Sequence, residues 1–323
     1  MSHSALIRFV GAMAVLGALA GGPGAIAGKV YWSVNDVALQ RANLDGTNVE
    51  NVIVGFTRGI AIDTVDRKIY WGQDNDEQFT LRRANLDGSA VEIVVDFGAA
   101  EFFIPLALDR EGGKIYMGMS FFEGCLGIRR YNLDGSNGQN VVSGICADTI
   151  AVDPEGGKLY WAEGSAIRRA NLNGSNPETV VLADEGVPGI AVHPEQGKIY
   201  WTQPGPPNVV QRANTDGSNV ETLIASDEHA SSIALDTLGG KMYWAEQVPQ
   251  GRILRADLDG SNPEVILAVD TPWQIAVDPL VNGSDVPAVS WPGAAVIVTS
   301  ILLLTAAAMK RRRRGPRAAT GRE

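Results

Sequence analysis

Few residues in this chain are of the kinds that do chemistry, and they are scattered. Its 323 residues include three histidines, His3, His193 and His229, and two cysteines, Cys125 and Cys146. No Gly-x-Ser-x-Gly motif is present, and no cysteine has a histidine near it in sequence. Nothing therefore marks an activated nucleophile for acyl transfer. Asp148 and Glu163, with His229, are the residues that could serve a metal-assisted hydrolase or lyase. Two cysteines in an exported chain permit a disulfide, with two free thiols as the alternative, and without Cys-x-x-Cys spacing they make no redox or metal motif. Repeated Asp-Gly-Ser turns could suggest Ca²⁺, but such an ion needs about six to eight converging oxygens. One Asp per turn does not supply them. No catalytic residue, metal ligand or cofactor is assigned, although a single structural Ca²⁺ in a central channel stays open.

The chain ends read as targeting segments. Residues 1–27 contain Arg8, an apolar run from Phe9 to Ala20, and Ala25-Ile26-Ala27. That is the pattern of a secretory signal cleaved after Ala27. Residues 281–290 read as a linker. Trp291 to Met309 is a stretch of 19 residues without a charge, followed at once by Lys310 and Arg311 to Arg314. Such a segment is just long enough to span a bilayer, with residues 310–323 as a basic cytoplasmic tail. Between the leader and Trp291 lie 19 basic and 36 acidic residues, a net of −17. A surface of that sign repels nucleic-acid backbones and anionic lipids, and it suits basic partners or divalent cations.

The elements that must position any site come from a repeat. Aromatic pairs occur at Tyr31-Trp32, Tyr70-Trp71, Tyr160-Trp161, Tyr200-Trp201 and Tyr243-Trp244, with Tyr116-Met117 filling the series. After each pair comes a phrase of the form RANLDGSN, at 41–48, 83–90, 130–137, 169–176, 212–219 and 255–262. A third phrase precedes the next pair: GIAID, PLALD, TIAVD, GIAVH, SIALD and QIAVD, ending at 63, 109, 153, 193, 236 and 278. I-A-V-D, G-K-L-Y-W, I-x-R-A-N and P-E-T-V-V-L read as four short strands, with Asp-Gly marking a turn. No window reads as an amphipathic helix. Four antiparallel strands every ~42 residues make a propeller blade. The expected fold is all-β: a single six-bladed β-propeller over residues 28–280. The first unit begins at its second strand and the last ends after its first. The two fragments complete each other if the chain closes into a ring, which leaves no open edge at the seam.

At these phrases the chain resembles the YWTD, or class B, repeats of the low-density lipoprotein receptor family, over residues 29–278. The resemblance implies a six-bladed propeller that serves in binding and extracellular assembly rather than catalysis. The Thr-Asp half of that motif is mostly missing, and the Cys-rich and growth-factor-like modules of the receptors are absent from this sequence. The C-terminus also resembles the C-terminal sorting signals of Gram-negative bacteria. Val286-Pro287-Ala288-Val289-Ser290-Trp291 stands where such signals carry their Pro-containing motif. In such proteins the tail is removed and the protein released or re-anchored, whereas the charge pattern alone keeps it membrane-anchored.

Strand order sorts the connections onto two faces. Turns between strands one and two, and three and four, share a repetitive face that includes His193. Loops between strands two and three, and the links from one blade to the next, share a variable face. Arg58, Phe102, Phe103, Phe122, Asp148, Glu163, Glu246, Asp270 and Trp273 fall there, aromatics and charges of the kind that build a partner site. The expectation is a non-enzymatic, exported, monomeric module that binds a protein, peptide or glycan. A metal-dependent hydrolase or lyase with its site at the channel mouth, and a purely structural envelope or matrix protein, are the alternatives.

Overall fold

The aromatic pair of each unit sits in a strand that is buried on both faces, as in Lys68–Asp74. A strand flanked by sheet neighbours on both sides, with its sheet packed on both faces, reads in this way. The computed structural model describes residues 28–279 apart from 35–36, 75–77, 99–104, 122–123 and 248–250. The secretory leader, the linker, the apolar C-terminal segment and the basic tail lie outside the described residues, as do Phe102, Phe103 and Phe122. No helix occurs among the described residues.

The first blade holds β1 (Lys29–Val34), β2 (Ala38–Asn43) and β3 (Glu50–Val54). The second is β4 (Thr57–Asp63), β5 (Lys68–Asp74), β6 (Phe79–Asn85) and β7 (Glu92–Asp96). The third is β8 (Leu106–Asp109), β9 (Lys114–Phe121), β10 (Gly124–Asn132) and β11 (Gln139–Ser143). The fourth is β12 (Thr149–Asp153), β13 (Lys158–Glu163), β14 (Ala166–Asn171) and β15 (Glu178–Leu182). The fifth is β16 (Gly189–His193), β17 (Lys198–Gln203), β18 (Asn208–Asn214) and β19 (Glu221–Ser226). The sixth is β20 (His229–Asp236), β21 (Lys241–Gln247), β22 (Gly251–Asp257) and β23 (Glu264–Val269). Finally, β24 (Pro272–Asp278) returns to the first blade, giving the order β24-β1-β2-β3. It pairs antiparallel with β1 in the register Lys29↔Asp278, Tyr31↔Ala276 and Trp32↔Ile275. The innermost strands pack in the cycle β24, β4, β8, β12, β16, β20 and back to β24, so the ring is closed.

Adjacent residues in a strand point to opposite faces, so each Tyr-Trp pair serves two seams at once. Tyr31 of blade one packs in one cluster with Trp71 of blade two. Tyr116 meets Trp161, Tyr160 meets Trp201, and Tyr200 meets Trp244. Tyr243 of blade six meets Trp32 of blade one, which closes the series. The seam between blades two and three joins Tyr70 to Met117. There the third blade also replaces the small Ala of R-A-N with Tyr131, on the same face as Met117. Phe97 packs edge-on against Tyr131 with ring centroids 6.1 Å apart. Two departures from the repeat thus offset each other in volume.

A polar latch accompanies each seam. The Arg of every R-A-N phrase donates to a main-chain carbonyl in the next blade. The pairs are Arg41 to Leu86 at 2.7 Å, Arg83 to Leu133 at 3.2 Å and Arg130 to Leu172 at 3.1 Å. Arg169 reaches Thr215 at 2.7 Å, Arg212 reaches Leu258 at 3.0 Å, and Arg255 closes the ring onto Leu44 at 2.8 Å. Tyr31, Tyr116, Tyr160 and Tyr200 donate their hydroxyls to the same carbonyls. The Gly of each Asp-Gly turn lies against the outermost strand of the preceding blade. A Cβ on Gly46 would stand 2.0 Å from the Ile266 carbonyl oxygen, and Gly46 has φ +82°. Glycine is required there by both contact and conformation. The Asp of I-A-V-D caps the turn after the innermost strand: Asp109, Asp153 and Asp236 each accept a Gly N–H at 2.7 Å.

Met117→Trp alone should overpack its seam and lower stability by about 1–3 kcal/mol. Met117→Trp with Tyr131→Ala should recover most of that loss in denaturant melts. An additive double variant would show that the two positions are independent.

Candidate functional site

Each innermost strand enters the sheet from a blade-to-blade link, so the residues around its start gather at the channel mouth. There they frame a cavity of about 750 Å³. Blade one contributes Ser33, Trp273 and Gln274, and blade two contributes Thr57, Arg58 and Gly59. The third blade supplies Pro105, Met119 and Cys125. Asp148 stands at the start of blade four, Val187 and Pro188 at the start of blade five, and His229 and Ser231 at the start of blade six. The walls are largely apolar, and the ionisable groups are few. Of the positions singled out from sequence, Arg58, Asp148 and Trp273 line the cavity.

The mouth is braced where the chain closes. Ser33 Oγ accepts from the Gln274 N–H at 3.2 Å, and Gln274 Oε1 accepts from the Ile60 N–H of blade two at 3.0 Å. Ser231 of blade six donates to the Pro272 carbonyl at 3.2 Å. On the far side a disulfide joins Cys125 to Cys146, with Cα atoms 4.9 Å apart. It ties the link carrying Ala147 and Asp148 to the edge of β10. Thr57 is 3% exposed and its hydroxyl makes no hydrogen bond. The Arg58 guanidinium stacks over Phe56, 4.5 Å from the ring centre.

Asp148 is held from both sides: its N–H donates to the Ala162 carbonyl, and its Oδ2 accepts the Gly164 N–H, each at 2.9 Å. Desolvation in the cavity wall raises its carboxyl above the ordinary value. The Gly164 N–H opposes that shift, and the Glu163 charge adds to it. Glu163 itself pairs with Arg168 at 3.3 Å. Asp270 is exposed on the link into β24, and Trp273 beyond it is 54% exposed.

Glu246 is placed differently from the rim position its sequence neighbourhood implies. It is buried in blade six, accepting from Trp244 Nε1 at 3.0 Å and from Arg252 at 2.7 and 2.9 Å. His193 is buried on the turn face in place of the capping Asp. Sequence reasoning did not single out Thr57, Met119 or Gln274 as part of the mouth. Thr57 adjoins Arg58, and Gln274 adjoins Trp273, so adjacency to the non-repeating residue at the start of each innermost strand was the available signal. For a metal-assisted reaction the mouth offers Asp148 and His229, while Glu163 is not part of the lining. Among the described residues no group of three or more His, Cys, Asp or Glu is placed to hold a metal ion.

No protein-family model matches the chain, and no curated protein matches it. Solved structures do. TolB from Acinetobacter baumannii aligns with a TM-score of 0.66 at 16% identity, over 78% of this chain and 67% of that one. A chain of the nidogen/laminin complex aligns with a TM-score of 0.64 at 16% identity, over 78% of this chain and 98% of that one. The tricorn protease aligns with a TM-score of 0.59 at 13% identity, over 76% of this chain and 26% of that one. At these identities the likeness shows the fold, a six-bladed β-propeller.

Titration of Asp148 by carboxyl NMR should give a midpoint above the ordinary Asp value. Glu163→Gln should lower that midpoint, because it removes a like charge. An unchanged midpoint in the variant would exclude electrostatic coupling between the two.

Proposed function

We propose that this chain is an exported, non-enzymatic interaction module whose partner docks on the variable face, over the cavity at the channel mouth. The observation that carries the reading is the contrast between the two faces. Residues of the repeat are used up in seams, latches and turn caps. The mouth instead draws non-repeating residues from all six blades around one space of about 750 Å³. Rigid frames that present non-repeating loop residues are the usual architecture of binding proteins. The resemblance to YWTD repeats supports the same class of role, and one structure of this fold is of a protein complex, nidogen with laminin. The leader and the basic C-terminal segment would place the propeller outside the cytoplasm. There it would be anchored in the envelope, or released after processing of the sorting-type tail. The partner is a protein, peptide or glycan.

The second reading is a metal-dependent hydrolase or lyase, favoured only by Asp148 and His229 sharing the mouth. Metal analysis of the purified protein separates the two, since that reading requires an ion bound in stoichiometric amount.

Photo-crosslinkers placed at Trp273 and, as a control, at Glu111 on the turn face should be tested on intact cells. A partner captured from Trp273 and not from Glu111 is the expected result. Capture from Glu111 alone would place the binding face on the repetitive side and reject the proposal.

A further inference from the structure

Four consecutive blade-to-blade links, of the six round the mouth, lie at 144–148, 183–188, 227–228 and 270–271. They carry Asp148, Asp184, Glu185, Asp227, Glu228 and Asp270, and no lysine or arginine. All but the half-buried Glu228 are exposed. Among the described residues lining the cavity the one lysine or arginine is Arg58, in blade two beside the end of the arc that carries Asp270. An acidic arc alone would be ordinary solvation of an acidic protein. Here it borders a largely apolar cavity of about 750 Å³, and the acidic rim and apolar walls together complement a chain that is both charged and apolar.

We infer that the mouth takes a lysine- or arginine-rich segment of a partner protein, with one long cationic side chain entering the cavity. This rests on the variable face being the interaction face. Such a side chain has an apolar stem and a charged head. The stem suits walls built from Met119, Val187, Pro188 and Trp273. The head suits Asp148. The remaining carboxylates of the arc face the flanking basic residues of the segment, where they raise the rate of encounter and fix orientation. A bare divalent cation fits less well, because the acidic groups are spread along four links rather than converging on one point.

The test uses the full-length protein and short fluorescent oligolysine and oligoglutamate peptides, followed by anisotropy at low and high salt. Oligolysine should bind, more weakly as salt rises, and oligoglutamate should not. Asp148→Asn and the pair Asp184→Asn with Glu185→Gln should each weaken oligolysine binding roughly two- to fivefold. Glu111→Gln with Glu195→Gln, on the turn face, should leave it unchanged. Absence of oligolysine binding, or equal weakening by the turn-face pair, overturns the inference. So does a partner that crosslinks at Trp273 but carries no basic segment, and that result leaves the interaction-module reading standing. A partner found only on the turn face removes both.

Discussion

Everything in this protein depends on how one dipeptide divides its side chains between two seams. In an extended strand Tyr and Trp must point to opposite faces. Tyr31 therefore meets Trp71 in the next blade, while Trp32 meets Tyr243 in the preceding one. No blade can bury its aromatics alone, because each supplies half of two cores. The Arg latch onto the next blade's carbonyl adds direction to that packing. Burial of the Tyr31, Tyr70, Tyr116, Tyr160 and Tyr243 phenols keeps them neutral, since desolvation raises each above its ordinary value.

That constraint leaves little of the repeat available for recognition. The Asp of the innermost strand caps a turn, the Gly of Asp-Gly touches a neighbouring backbone, and the Arg bridges blades. The Arg also holds a carboxylate on the outermost strand in five of the six units, as Arg169 holds Glu178 at 2.7 Å. What remains is the residue type around the start of each innermost strand, where packing imposes no common identity. Arg58, Asp148, Pro188, Ser231 and Trp273 differ for that reason, and closure of the ring brings them together.

The fold was legible because period and phase are properties of the sequence itself. Five aromatic pairs and Tyr116-Met117 set the blade count, and the split first unit required β24 to join β1. The offset of Met117 by Tyr131 was not legible, since the two share a face only once the register Tyr131↔Ile115 is known. Glu246 illustrates the limit at the site. It follows an aromatic pair by two residues, just as Glu163 does, yet it is buried and bound by Arg252 and Trp244 while Glu163 reaches the surface. Each is paired with an arginine of the next strand, but Arg252 stands directly opposite Glu246 whereas Ala166 stands opposite Glu163. Thr57 escaped notice because a lone threonine carries no signal until its burial without a hydrogen bond is seen.

The seam between blades six and one is the most direct point of attack, because the 270–271 link leads only into β24, and β24 holds β1, β2 and β3 by sheet hydrogen bonds rather than through the chain. Arg169 and Arg255 have matched latches, with carbonyl contacts of 2.7 and 2.8 Å and carboxylate contacts of 2.7 Å in each. The measurement is the unfolding free energy of Arg169→Ala and Arg255→Ala in denaturant melts. A closed ring held by its seams predicts a similar loss in both, about 1.5–3 kcal/mol. An unchanged stability in Arg255→Ala beside a large loss in Arg169→Ala would contradict closure and the account built on it.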